Sequence, residues 1–116
     1  MKKIIIKRVY EEPTAQDGYR ILVDRLWPRG ISKEKAEIKE WLKELAPSTE
    51  LRKWFHHEPT LFPEFKTKYI DELKAQTQTL NRISSMANQE QICLVYSAKD
   101  EKHNQAIVLK ELIAQE

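Results

Sequence analysis

The sequence predicts a single α/β domain: a small parallel or mixed sheet of at least three strands, covered by about four to five helices. Three observations lead there. Ile4-Ile5-Ile6, Ile21-Leu22-Val23 and Ile92-Cys93-Leu94-Val95-Tyr96 are apolar on consecutive positions and mostly β-branched, as strands covered on both faces are. Helical apolar stripes fill the long stretch between the second and third runs. The third run leads through a short polar loop into another stripe, the strand-to-helix step of a parallel or mixed sheet. With 116 residues, the chain suits one domain spanning 1–116 and one core.

In order, Ile4-Ile5-Ile6 with Val9 reads as the first strand, followed by a turn-rich connection from Pro13 to Gly18 with Asp17-Gly18 as its strongest signal. The second strand, Tyr19 to Asp24, stops at Trp27-Pro28, because proline cannot donate to a ladder and restrains the residue before it. Ser32 is placed to N-cap a helix with Glu34 in its first turn. Ile38, Trp41, Leu42 and Leu45 recur at i, i+3, i+4 and i+7, which extends that helix to the stop at Ala46-Pro47. Ser48 opens a short helix through Leu51, Trp54 and Phe55. Phe62, Phe65, Tyr69 and Leu73 mark a third, with Pro63 in its first turn. Leu80, Ile83 and Met86 give a weaker stripe, either a continuation of that helix or a separate short one, before the Asn88-Gln89 break. Ala106, Leu109 and Ile113 mark the C-terminal helix.

Composition narrows the function classes. Twenty Lys and Arg against eighteen Asp and Glu leave a formal charge of +2, too small for a protein held to nucleic acid by counterion release alone. A single cysteine, Cys93, rules out a disulfide framework or a cysteine-built zinc site, and its apolar surroundings read as core. The N-terminal apolar run is too short for a signal peptide, and no run reaches the ~20 residues of a spanning helix. The expected location is cytoplasmic, with no membrane partner.

Two polar runs leave strand ends, where ligands bind in open α/β sheets. After the second strand come Asp24, Arg25, Trp27 and Arg29. The arginines can fork onto a phosphate or carboxylate, and the indole can stack on a base or sugar. The plain alternative pairs Asp24 with Arg25 or Arg8 and makes Trp27 a lid on the core. After the third strand come Ser97, Lys99, Asp100, His103 and Asn104, at a helix start with free N–H groups. His103 can act as acid or base near neutral pH. The plain alternative has Asp100 capping the helix, with His103 and Asn104 in its solvated first turn. The two runs meet only if their strands are parallel and close in the sheet. His56-His57 sits at the end of a short helix, and adjacent helical histidines point apart, so a paired metal site is not expected. No P-loop, HExxH or G-x-G-x-x-G pattern occurs, and two glycines cannot build a phosphate cradle.

Several blocks resemble a known family. Asp17-Gly18-Tyr19-Arg20-Ile21-Leu22-Val23-Asp24-Arg25-Leu26-Trp27-Pro28-Arg29-Gly30 is similar to a signature of the YeaO-like bacterial proteins, a domain of unknown function numbered 488. Trp41 to Ser48, Leu51 to His57, and Leu94 to Asp100 with His103-Asn104-Gln105-Ala106 resemble its remaining blocks. The resemblance covers essentially the whole chain and implies a small α/β domain with no activity to carry over. A wider group it is similar to ends one strand in Asp-Val-Arg and starts a helix with Cys-His-Arg. Val23-Asp24-Arg25 and His103-Asn104 stand in those places, without the Cys and the second Arg, which puts thiol chemistry in doubt.

Together these readings predict a small enzyme or ligand-binding domain acting on an anionic, nucleotide-like or phosphorylated molecule. Asp24 and His103 are its acid–base candidates, and Arg25, Trp27, Arg29, Ser97, Lys99 and Asn104 its binding residues. No metal or other cofactor is expected. The alternative is a nucleic-acid-binding or regulatory module, which would need a continuous basic surface, although no helix reads as a base-reading one. A third is a protein-interaction module, marked by exposed aromatics around Trp54-Phe55.

Overall fold

Strands β1 (Ile4–Arg8), β2 (Tyr19–Leu22), β3 (Glu40–Trp41) and β4 (Ile92–Tyr96) form one sheet in the order β1-β4-β2-β3, with every pair parallel. The computed structural model describes residues 2–115. Ile4 to Arg8 align with Ile92 to Tyr96 on one side, and Tyr19 to Leu22 with Ile92 to Val95 on the other. β4 is therefore central, and all five of its residues are buried. Its unbroken apolar run follows, because a strand with partners on both sides and layers on both faces has no solvated position to spare. Both edges are blunt: β3 has two residues, and β1 ends in Lys7-Arg8.

Side chains alternate across the sheet, and the two faces differ. One face carries Ile4, Ile21, Val23, Ile92, Leu94 and Tyr96, and packs into the main core. Helices α2 (Thr49–Phe55), α3 (Phe62–Leu73), α4 (Thr77–Gln89) and α5 (Gln105–Ala114) all send their apolar stripes there, through Phe55, Phe65, Tyr69, Leu80, Ile83, Leu109 and Ile113 among others. The opposite face carries Leu22, Cys93 and Val95, covered only by loops and by the single turn α1 (Lys33–Ala36), with Trp27, Ile31, Ile38 and Trp41 packed around them.

That thinner side also buries charge. Arg20 Nη1 lies 2.8 Å from Asp17 Oδ2, Arg20 Nε donates to the Ala36 carbonyl at 3.0 Å, and Lys7 Nζ reaches Asp17 Oδ1 at 3.1 Å. The network ties the β1–β2 connection and α1 to the sheet, and Arg20 Nη2 is left without a partner. Gly18 sits beside it at φ 74°, and a Cβ there would run into the Gln91 carbonyl, so only glycine fits.

The helix expected through Ile38, Trp41, Leu42 and Leu45 does not form. Ser32 Oγ does cap α1, accepting from the Lys35 N–H, but Glu37 takes the left-handed conformation (φ 49°) and ends the helix after one turn. The Lys39 and Leu42 N–H groups then donate to the Arg20 and Leu22 carbonyls, adding β3 to the sheet edge. The apolar spacing reported burial, not a helix. Ile38 and Trp41 pack on the thin side, while Leu42 and Leu45 face the main core. The remaining expected elements form near their predicted places: Ser48 caps α2, Pro63 lies in the first turn of α3, and the weak stripe is a full helix, α4, ending at Gln89.

Candidate functional site

β2 and β4 are neighbours and parallel, so the chains leaving them run side by side. Val23 continues the pairing by donating to the Val95 carbonyl at 3.0 Å, after which the two loops part. A cleft of about 780 Å³ opens between them. Its walls come from the chain leaving β1, the 24–29 loop, the Ala46-Pro47 turn with the C-terminal end of α2, and the 97–105 segment. Every residue singled out after β2, Asp24, Arg25, Trp27 and Arg29, lines it. So do Ser97, Lys99, His103 and Asn104 from the loop after β4.

Several of these side chains have structural duties. Arg25 donates from Nε to the Pro47 carbonyl and from Nη2 to the Ala46 carbonyl, both at 3.1 Å, anchoring the turn before α2. Trp27 packs edge-on against Trp41 at 5.4 Å, and its indole N–H donates to the Ile31 carbonyl at 2.7 Å. Its body covers the thin-side core, as the lid reading had it, and one edge reaches the cleft. Asn104, not Asp100, caps α5: its Oδ1 accepts from the Ile107 N–H and its Nδ2 donates to the Asp100 carbonyl. Asp100 instead folds the loop before the helix, accepting from the Lys102 and His103 N–H groups.

Asp24 pairs with neither Arg25 nor Arg8. Arg8 donates to the Ser97 and Ala98 carbonyls and lies over the Tyr10 ring, holding the β4 loop against β1. Asp24 Oδ1 accepts from Gln105 Nε2 at 2.7 Å, and no cation lies within ion-pair distance of it among the described residues. Burial pushes its carboxyl above the ordinary 3.8, against the pull of the Ser97 hydroxyl and N–H, the Gln105 amide and the charge on Arg52. His103 Nδ1 sits 2.9 Å from Asp100 Oδ2, and its ring meets Phe62 edge-on. The Lys102 N–H, and then His103, hold the Asp100 carboxyl below its usual range.

The cleft also contains Arg52 and Lys53 of α2, which sequence patterns did not single out, together with His56 and His57 just beyond the end of that helix, which they marked only as a pair unsuited to a metal. Both histidines are left-handed (φ 46° and 54°), with His56 capping the helix where a glycine is usual. The signal available was Arg52-Lys53 one turn before a helix end that has no glycine. Cys93 lies outside the cleft, in the thin-side core, where burial pushes its thiol up to about 11. Among the described residues no group of three or more His, Cys, Asp or Glu side chains is placed to hold a metal ion. No described helix is long and apolar enough to cross a membrane.

The arrangement concentrates one sign of charge. Arg8, Arg25, Arg29, Arg52, Lys53 and Lys99 line the cleft against a single acid, Asp24. Among the described residues, Arg29, Arg52, Lys53 and Lys99 form no ion pair.

Comparison with known proteins places this geometry in a family. The chain is 48% identical over 105 residues to the uncharacterised protein YeaO of Escherichia coli (strain K12), an alignment covering 90% of this chain and 91% of that protein. It is 36% identical over 111 residues to the uncharacterised protein Rv3073c of Mycobacterium tuberculosis (strain ATCC 25618 / H37Rv), covering 96% of this chain and 93% of the other. No solved structure matches it. Residues 3–116 match the group described as the inactive DUF488-N3 subclade. The protein is therefore a member of the DUF488, YeaO-like family of α/β domains, within its inactive N3 subclade.

Proposed function

We propose that the protein binds an anionic small molecule, phosphorylated and nucleotide-like in size, in the cleft beyond the ends of β2 and β4, and does not transform it. The observation that carries this reading is the charge of the lining: six Lys and Arg against one acid, in a chain whose net charge is +2. Cations held close together without counter-ions repel one another, and a low-dielectric concave wall strengthens the effect. Such a cluster costs stability unless an anion offsets it. The volume suits a nucleotide-sized ligand.

Binding without turnover is supported by two further points. The subclade is described as inactive, and the single cysteine is buried away from the cleft with its thiol protonated at neutral pH. Asp24 and His103 then serve as ligand contacts and not as an acid–base pair.

Calorimetric titration with pyrophosphate and with AMP, at about 50 mM salt and again at 150 mM, tests the reading. Saturable binding is expected, weaker at the higher salt. The double variant Arg29→Ala/Arg52→Ala should bind about 10- to 100-fold more weakly, the equivalent of one charge-assisted hydrogen bond at ~1.5–3 kcal/mol. Both ligands should be recovered unchanged. Absence of binding at either salt overturns the site, and consumption of a ligand overturns its non-catalytic character.

A further inference from the structure

Attraction of a bare anion does not explain Asp24. It is the one acid in a cationic cleft, it is only 8% exposed, and it has no ion-pair partner among the described residues. A carboxylate in that place repels a phosphate and pays desolvation for its own charge, a cost reflected in its raised pKa. An asparagine would fill the same volume with neither penalty. The position of Asp24 therefore asks for a ligand group that donates a hydrogen bond to it.

The environment decides which donor. An ammonium group would meet Asp24 favourably but would face Arg8, Arg25, Arg29, Arg52, Lys53 and Lys99 around it, so a cationic donor is disfavoured overall. A neutral hydroxyl meets no such opposition. Gln105 holds Oδ1 from the α5 side at 2.7 Å, and the Ser97 hydroxyl and N–H also act on the carboxylate; with two lone pairs on each oxygen, those three donors leave room for one more. Asp24 also lies beside Ser97 at the bottom of the cleft, where the chains from β2 and β4 part.

We infer that Asp24 accepts a hydrogen bond from a hydroxyl of the bound molecule, so that the site selects a hydroxyl-bearing phosphoester, a sugar phosphate or the sugar-phosphate part of a nucleotide, over a bare phosphate. This rests on the cleft being an anion site. The phosphate meets the unpaired cations Arg29, Arg52, Lys53 and Lys99, while the sugar hydroxyl reaches the acid. Selectivity follows from asymmetry: a ligand without the hydroxyl leaves a buried carboxylate facing an apolar group, and sites built to bond a hydroxyl reject analogues that lack it.

Calorimetric titration of wild type and Asp24→Asn with ribose 5-phosphate, pentyl phosphate and methyl phosphate tests this. Wild type should bind ribose 5-phosphate at least tenfold more tightly than pentyl phosphate. In Asp24→Asn the Gln105 amide still needs the Asn oxygen, so the Asn NH₂ turns to the cleft. The preference should fall below threefold, and methyl phosphate should bind more tightly than to wild type because the like charge is gone. Equal binding of ribose and pentyl phosphates by wild type overturns the hydroxyl assignment and leaves the anion site standing. Retention of the full preference by Asp24→Asn removes Asp24 from the role. No binding of any phosphate by wild type overturns both readings. If Asp24→Asn does not fold, the wild-type ratio alone decides: a preference below threefold overturns the inference and one of tenfold or more sustains it.

Discussion

Asp17 and Asp24 are both buried carboxylates, 3% and 8% exposed, and burial ends differently for each. For Asp17 it pushes the pKa up, but the Thr14 N–H, the Lys7 ammonium and the Thr14 hydroxyl outweigh it and leave the group below its ordinary 3.8. A lowered acid stabilises the fold above its unfolded pKa, and that contribution disappears as pH falls through the folded value. Asp17→Asn should therefore cost about 3–5 kcal/mol at pH 7, because Arg20 is left charged and buried. Urea denaturation of both proteins should show the gap closing below pH 3.8, and a loss under about 1 kcal/mol at pH 7 would overturn the account. Asp24 has the opposite sign. Its raised pKa makes the charged form costly at neutral pH, and the cost vanishes below the unfolded value, which is how a residue kept for binding behaves. At this scale the residue types were legible in the sequence and their partners were not. Arg25 stood out as an anion ligand, yet two of its five donors serve the Ala46 and Pro47 carbonyls. Those carbonyls lie more than twenty positions along the chain, and only folding presents them.

Element by element, the serine caps read from the sequence formed at Ser32 and Ser48, while at α5 the cap moved from Asp100 to Asn104. At Ser48, Oγ accepts from the Leu51 N–H at 3.1 Å, and the N–H and hydroxyl both donate to Glu72 on α3. Ser48→Ala should cost about 1–2 kcal/mol, the value of a lost N-cap with one further bond. Chemical denaturation checks this, and a cost near zero would mean that water replaces both contacts. Signals failed where the backbone does the work. Glu37 and His56 end α1 and α2 in the left-handed region without a glycine, so nothing in their side chains marks the stop. The Ile38–Leu45 stripe misled for a related reason. Periodicity records which positions are buried, and here two cores on opposite faces of the sheet share them.

For the molecule as a whole, extents of 35 × 34 × 21 Å describe two layers: one sheet with its long helices on a single face. The unhelical face is held by a small apolar cluster and a charge network, and β4 lies at the centre of everything. Hydrogen exchange should rank the strands accordingly. Amides of β4 should open only with global unfolding, at about 5–15 kcal/mol, while those of the two-residue edge strand β3 exchange at least ~100-fold faster. Equal protection of the two strands would contradict the layering. By itself, the sequence determined the α/β class, three of the four strands, four helices of more than one turn, and the two polar runs at strand ends, because local pattern and composition decide those. Tertiary structure decided that β4 lies between β1 and β2 and that all strands are parallel, and this alone makes the polar runs one cleft. It also supplied the third wall, Arg52 to His57, from a helix that no local rule connects to either loop. Charge density in a cleft is a sum over segments distant along the chain, so a nearly neutral sequence can hold a strongly cationic site without showing it.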